Sequence, residues 1–439
     1  ALGMLLMPNA PLFVSLIAPM IFGGLMLALM DGAFNVSMQP FRSLVSDMLP
    51  NQQRTFGYAI QALLINIGAV LGSILPFLLT NVIGLDNTAE KGQVAETVIW
   101  AFYIGATILL GSVLWTVIRT KEYSPEELAR FEAARGRFAG SAAAAVQRSA
   151  AQFASGGMVW IIAGAAVAAL VAVARGDGRP AFLGEIEVAQ ELYVLAALIA
   201  GFGAVQLVAA SLRRQGRNDG GFMEVVSDLF AMPRTMRKLA VVQFFSWFGM
   251  FGLWIYGTPG VTEYHFGAAD AASAAYQDGA DWWSLMGSVR NGLAAAAALG
   301  FVMIAAKIDR CRLHAINLTL GAAGFAAMLL VRDPALLWVP QIGIGIAWAS
   351  IVALPYAILA GCVPAEKMGI YMGVFNIFIV LPQLLASTLL GFLVTNLFGG
   401  EPIYAMAIAA VSFVLAATAT LFVTDGEARG VPALQAGEA

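Results

Sequence analysis

The sequence predicts an all-α polytopic membrane protein, and three observations predict it. Hydrophobic residues make up 60% of the 439 and charged residues 12%, against about 25% charged in a soluble domain. Mean hydropathy is +0.79. The apolar residues also gather into runs long enough to cross a bilayer, which takes about 20 residues per helix. A net charge of −3 suggests neither nucleic acid nor an acidic partner. The lipid bilayer is the partner that composition calls for, and no oligomeric state follows from it.

Taken in order, the candidate spans are 12–39, 55–80, 97–118, 156–174, 192–212, 239–258, 283–306, 313–331, 335–361, 369–396 and 402–423. Residues 1–7 read as the tail of an earlier helix. The chain opens at Ala1 with no initiator Met, basic region or small-residue cleavage site. That is not a signal peptide, and earlier helices are expected upstream. Turn chemistry separates the spans at Pro8-Asn9-Ala10-Pro11, Leu85-Asp86-Asn87, Gly176-Asp177-Gly178, Arg332-Asp333-Pro334 and Gly399-Gly400-Glu401-Pro402.

Basic residues orient the spans. With the loop at 8–11 outside, 19 of the 24 Lys and Arg residues fall in inside segments and four in outside loops; Arg290 alone lies within a span. This asymmetry follows the positive-inside rule, and shifting the count by one helix inverts it.

The chain then divides into four parts. Residues 1–155 are an incomplete N-terminal membrane half with a cytoplasmic loop, and 156–212 an inserted two-helix hairpin. Residues 213–424 are a cytoplasmic linker with a six-helix half, and 425–439 a cytoplasmic tail. The hairpin is rich in Ala, Val and Gly, and small residues let helices approach closely in lipid. It reads as an accessory that packs without transporting. Transporters are often built from repeated halves with the substrate site between them.

The segment Asp31 to Asp47 carries the strongest chemistry. Asp31 ends an uncharged run from Ala1 to Met30, and a carboxylate at membrane depth costs about 2.5–3.5 kcal/mol on insertion scales. It is either a proton-coupling group or a structural carboxylate bonded to a neighbouring helix. On a helix, Asn35 and either Met38 or Gln39 share its face. Asn35 binds a solute hydroxyl, holds the carboxylate or bonds another helix; Gln39 reads as structural. Pro40 is expected to break or kink the helix. Arg42, Asp47 and Arg54 lie toward the inner surface, either as a gating cluster or as topology markers.

Further candidates sit at membrane depth. Gln61 and Asn66 are uncharged polar residues that face either a cavity or a packing partner. Trp247 and Trp254, with Tyr256, offer aromatic faces to a pyranose ring or serve as core and interfacial packing. Arg290, beside Asn291, needs a partner. Asn376 and Gln383 flank Pro382, which frees a backbone carbonyl.

Cys311 and Cys362 are the only cysteines, and no CxxC or His/Cys cluster occurs. No disulfide framework, metal site or cofactor is called for, other than a coupling ion. His265 and His314 are the only histidines, which argues against a histidine relay. Neither a nucleophile–base pair nor a metal site marks an enzyme.

The run Asp31-Gly-Ala-Phe-Asn35, then Pro40-x-Arg42 and Asp47, resembles the fourth helix of the glycoside–proton symporters of the major facilitator superfamily. That group holds plant sucrose carriers and bacterial maltose or maltooligosaccharide carriers. Gln243-Phe-Phe-Ser-Trp247-Phe-Gly-Met-Phe-Gly-Leu-Trp254-Ile-Tyr256 is similar to their seventh helix, and Asp278-Gly-Ala-Asp281-Trp282 to the approach to the eighth. Lys307-Ile-Asp309-Arg310-Cys-Arg312 resembles the loop between the eighth and ninth. The resemblance covers residue 1 to about 424, hairpin excepted. It departs in the hairpin and in the single Asn after Asp31, where many relatives have two.

The resemblance implies a major-facilitator-type fold lacking its first helices, in a bacterial inner membrane. It implies uptake of a glucoside such as maltose or sucrose by proton symport, with Asp31 as the coupling carboxylate. Sodium coupling in the same fold is a rival, although Asp31 and Asn35 supply few oxygen ligands. A non-transporting sensor or assembly factor is another.

Overall fold

The computed structural model describes residues 1–424, apart from 14–17, 50, 87–92, 122, 125, 128–129, 131–147, 177–178, 182–183, 185, 219, 271–272, 305–306 and 364–366. The tail 425–439 lies outside the described residues. Among the described residues the regular elements are helices: α1 (Leu2–Leu6), α2 (Pro19–Met48), α3 (Asn51–Leu78), α4 (Glu96–Arg119), α5 (Ala150–Arg175), α6 (Leu192–Arg214), α7 (Gly221–Phe230), α8 (Arg234–Phe266), α9 (Ala274–Ile304), α10 (Arg310–Leu330), α11 (Trp338–Ala360), α12 (Met368–Phe398) and α13 (Ala405–Thr420). Ten of the described helices are long and apolar enough to cross a membrane. This is a multi-pass membrane protein.

One expectation changes. Pro40 does not break its helix: α2 runs unbroken from Pro19 to Met48. Proline removes only one intrahelical bond, and membrane helices tolerate it. The helix ends instead at Leu49, which is extended (φ −109°, ψ 138°) ahead of Pro50; the residue before a proline is pushed out of the α region. The span expected at 283–306 lies on the 31-residue helix α9, Ala274–Ile304.

The hairpin pair α5–α6 packs as its composition suggests. A Cβ on Gly164 would lie 2.7 Å from the Ala196 carbonyl oxygen, and one on Gly203 2.6 Å from the Gly157 carbonyl oxygen. Only glycine permits that backbone approach. A capping box starts α5: Gln152 N donates to Ser149 Oγ (3.2 Å) and Ser149 N donates to Gln152 Oε1 (2.8 Å), satisfying two amides that no helical carbonyl reaches.

The connecting loop of the hairpin is fastened to the last turns of α12, and α7 to the residue that caps its start. Asn396 exchanges two bonds with the Glu187 backbone, at 2.7 and 2.9 Å. At the other end Lys367 donates to both Asp228 oxygens, at 2.9 and 2.8 Å, bringing in α7. Phe153, Met223 and Val226 form the small core between α7 and the hairpin.

The main core lies among α3 and α8–α13. The central helix α11 is buried almost throughout its inner half, from Ala349 to Ala360. The long contacts join like to like across the predicted membrane. Tyr264 donates to the Leu329 carbonyl and Trp282 Nε1 to the Pro334 carbonyl on the outer side. Lys238 donates to the Phe422 carbonyl and Arg54 to the Ala360 carbonyl on the inner side. These contacts pair the span ends in the alternation expected of the spans.

Candidate functional site

Helix α2 carries Asn35, Gln39 and Arg42 at spacings of four and three, which places them on one face. That face meets α11 and α12. Asn376 Nδ2 donates to Asn35 Oδ1 (3.0 Å), joining the N-terminal part of the chain to the C-terminal half. Asn35 Nδ2 donates to the Asp31 backbone carbonyl (3.0 Å), not to its carboxylate. The Asp31 side chain itself is exposed, one turn from this bridge.

Seven residues further along α2, or about 10 Å, the Arg42 guanidinium lies over the Tyr356 ring, 3.7 Å from its centroid. Arg42 is only 2% exposed, so it sits inside the protein, not at a loop surface. Its Nη2 meets Met38 Sδ at 3.6 Å, and its backbone carbonyl accepts from Tyr58 Oη (3.0 Å). Tyr356 in turn packs against Tyr58 and Phe375, the residue before Asn376. One continuous set of contacts thus links α2, α3, α11 and α12.

Five buried polar atoms in this set have no hydrogen-bond partner among the described residues. They are both amide atoms of Gln39, Arg42 Nη1, Tyr356 Oη and Asn376 Oδ1. An unmet buried polar group costs about 1–3 kcal/mol, and native proteins leave few of them. Such a group of donors and acceptors suits a solute that supplies both.

Below the set, toward the inner surface, arginines join the helices. Arg54 donates from Nε and Nη2 to the Ser46 carbonyl (3.1 and 2.9 Å) and from Nη1 to the Ala360 carbonyl (2.7 Å). Ala360 ends α11, where unsatisfied carbonyls and the helix dipole favour a cation. Arg310 Nη1 reaches Thr55 Oγ1 (3.3 Å) and the Ala357 carbonyl (3.4 Å). Asp47 lies on α2 one residue beyond Ser46, half-buried.

The other candidates fall elsewhere. Asn66 is fully buried and donates to the Ala62 carbonyl within its own helix (2.7 Å). Arg290 finds a neutral partner: Nη1 donates to Gln341 Oε1 (2.9 Å), and the guanidinium lies 5.3 Å from the Trp283 ring centroid. Trp247, Trp254 and Trp348 form an aromatic cluster with centroids 5.4–6.2 Å apart. Gln61, Asn291 and Gln383 are half-buried and join none of these groups.

Sequence reading gave Tyr58 and Gln341 no role. It gives Tyr356 none either, and reads Gln39 as structural. Its spacing from Asn35 and Arg42 was the available signal. For Tyr356 and Gln341, on another helix, the sequence held none.

No protein-family model matches the chain, and no curated protein sequence matches it. Among solved structures it is similar to the crystal structure of a major facilitator superfamily transporter, FucP, in the outward conformation. The identity is 12%, covering 96% of this chain and 97% of that one, with a TM-score of 0.37. It is also similar to the E. coli fucose:proton symporter FucP, at 12% identity over 96% of each chain with a TM-score of 0.35. Likenesses of that size place no residue and name no solute, so the site stands on its own contacts.

Proposed function

We propose that this chain is a secondary transporter of the major-facilitator type, and not an enzyme, carrying a glucoside of the maltose or sucrose kind with a proton. The observation that carries the reading is the group of unpaired buried donors and acceptors around the Asn35–Asn376 bridge. Hydroxyl groups both donate and accept, so a polyhydroxy solute meets amide oxygens, amide hydrogens and a phenol equally well. Asp31 lies one helical turn away and is the proton carrier; Asn35 and Asn376 bind the solute.

The geometry supports the following transport cycle. Asp31 takes a proton from the outer side and the solute settles against Asn35 and Asn376. The inner end then opens as Arg42 leaves the Tyr356 ring, Arg54 leaves the Ala360 carbonyl and Arg310 leaves Thr55. Proton and solute depart inside. One proton moving down 100 mV supplies about 2.3 kcal/mol, enough to concentrate a neutral solute roughly fifty-fold.

The test is transport by the full chain in vesicles, with labelled maltose, sucrose and other glucosides, for the parent and for Asp31→Asn. The variant keeps counterflow exchange and loses uphill uptake under a proton gradient without sodium. Uphill uptake by Asp31→Asn sinks the coupling assignment. No exchange of any glucoside by the parent sinks the solute assignment.

A further inference from the structure

A cavity lies away from the polar site. It has a volume of about 390 Å³, between the inner half of α8 and the middle of α12. Along α8 its lining residues Arg237, Ala240, Val241, Phe244 and Phe245 recur at spacings of three and four, so they form one helical face. Phe378 and Leu381 of α12 close the opposite side. Every lining side chain but one is hydrocarbon, aromatic or thioether. The exception is Arg237, which is exposed.

This chemistry does not suit the solute of the polar site, because no lining amide or hydroxyl could replace its water. The dimensions suit something else. From Arg237 to Phe245 is eight residues, or about 12 Å along the helix. One leaflet of a hydrocarbon core about 30 Å thick is close to that depth. Arg237 sits at the predicted inner surface, with Arg234 one turn earlier on the same helix and exposed as well. The groove therefore offers a cation at headgroup level and an apolar trough below it.

We propose that this cavity holds an anionic phospholipid of the inner leaflet, its phosphate on Arg237 and one acyl chain along Val241, Phe244 and Phe378. The anionic lipids of that leaflet supply the matching charge, and basic pockets between membrane helices on this side take such headgroups. The site is independent of which solute the transporter carries.

The experiment is lipid retention by the purified full chain, read by native mass spectrometry. Phosphatidylglycerol and phosphatidylcholine with identical acyl chains are titrated in separate arms. The parent retains phosphatidylglycerol about five-fold more tightly, the share expected of one basic residue at the surface. Arg237→Gln loses the preference, and this exposed side chain can be exchanged without disturbing the core. Val241→Trp fills the trough and lowers retention of both lipids. Equal retention of the two lipids by the parent overturns the proposal. So does a preference that survives Arg237→Gln but falls with Arg234→Gln, since that describes a diffuse basic surface. Unchanged retention in Val241→Trp removes the cavity from the account.

Discussion

The bond from Arg54 to the Ala360 carbonyl gives the sharpest prediction, because it crosses between parts of the chain that the proposed cycle must separate. Arg54 bonds twice to the Ser46 carbonyl in the N-terminal part, and its 2.7 Å bond from Nη1 reaches α11. Replacing Arg54 by Met removes that bond and leaves the last carbonyl of α11 without its cation. Hydrogen bonds between helices in membranes are worth about 0.6–2 kcal/mol, and 1.4 kcal/mol is a factor of ten. The inner end should therefore open about ten-fold more often in Arg54→Met.

Cys362 reports this directly, since it is half-buried two residues beyond Ala360. In a Cys311→Ala background, Cys362 is alkylated by a maleimide in inside-out vesicles, and the rate is followed with time. The expected acceleration is about ten-fold for Arg54→Met, and less for Arg54→Lys, which keeps the charge but loses the fork. A rate within about two-fold of the parent for folded Arg54→Met refutes the claim that this contact holds the inner end shut.

Three further predictions follow from packing and pairing. In a double-mutant cycle, Asn35→Ala and Asn376→Ala should couple by about 0.5–2 kcal/mol in stability to denaturant, and additive effects would mean that the bridge is not formed. Gln341→Leu takes the hydrogen bond from a buried guanidinium and should cost about 1.5–3 kcal/mol, more than Arg290→Met. The double variant should regain part of that loss, and thermal unfolding in detergent ranks all three. Gly164→Leu should lower the unfolding temperature markedly, because its Cβ meets the Ala196 carbonyl, whereas Gly201, with open space around it, should tolerate Leu. Equal effects at the two glycines would contradict the hairpin packing.

The architecture was legible because apolar length is a local property. Runs of about 20 apolar residues announce themselves one at a time. The hairpin glycines were legible for the same reason, as a stretch of small residues. What sequence missed depends on pairing between distant elements. Gln341 looks like any membrane glutamine until α9 sets Arg290 beside it, 51 positions away. Pro40 misled for a physical reason: its one lost backbone bond is decisive in water, where solvent competes for the rest, and minor in a long membrane helix.

Arg42 shows how local reading and long-range contact divide the candidate site. As sequence, it is a basic residue near the inner end of a span, which fits a topology marker as well as a gate. In the fold it lies within 3.7 Å of the Tyr356 ring centre, and that contact decides its neighbourhood. A topology marker works by charge alone, so Lys would serve there. A planar guanidinium stacked on a ring inside the protein is a different requirement, because Lys carries a compact, strongly hydrated charge with no flat face. Removing the ring exposes the same dependence from the other side: Tyr356→Leu leaves Arg42 buried with Met38 as its remaining side-chain partner. Burial of so poorly compensated a cation favours separation of α2 from α11. Tyr356→Leu should therefore speed Cys362 labelling as Arg54→Met does, although neither Tyr356 nor its replacement carries charge.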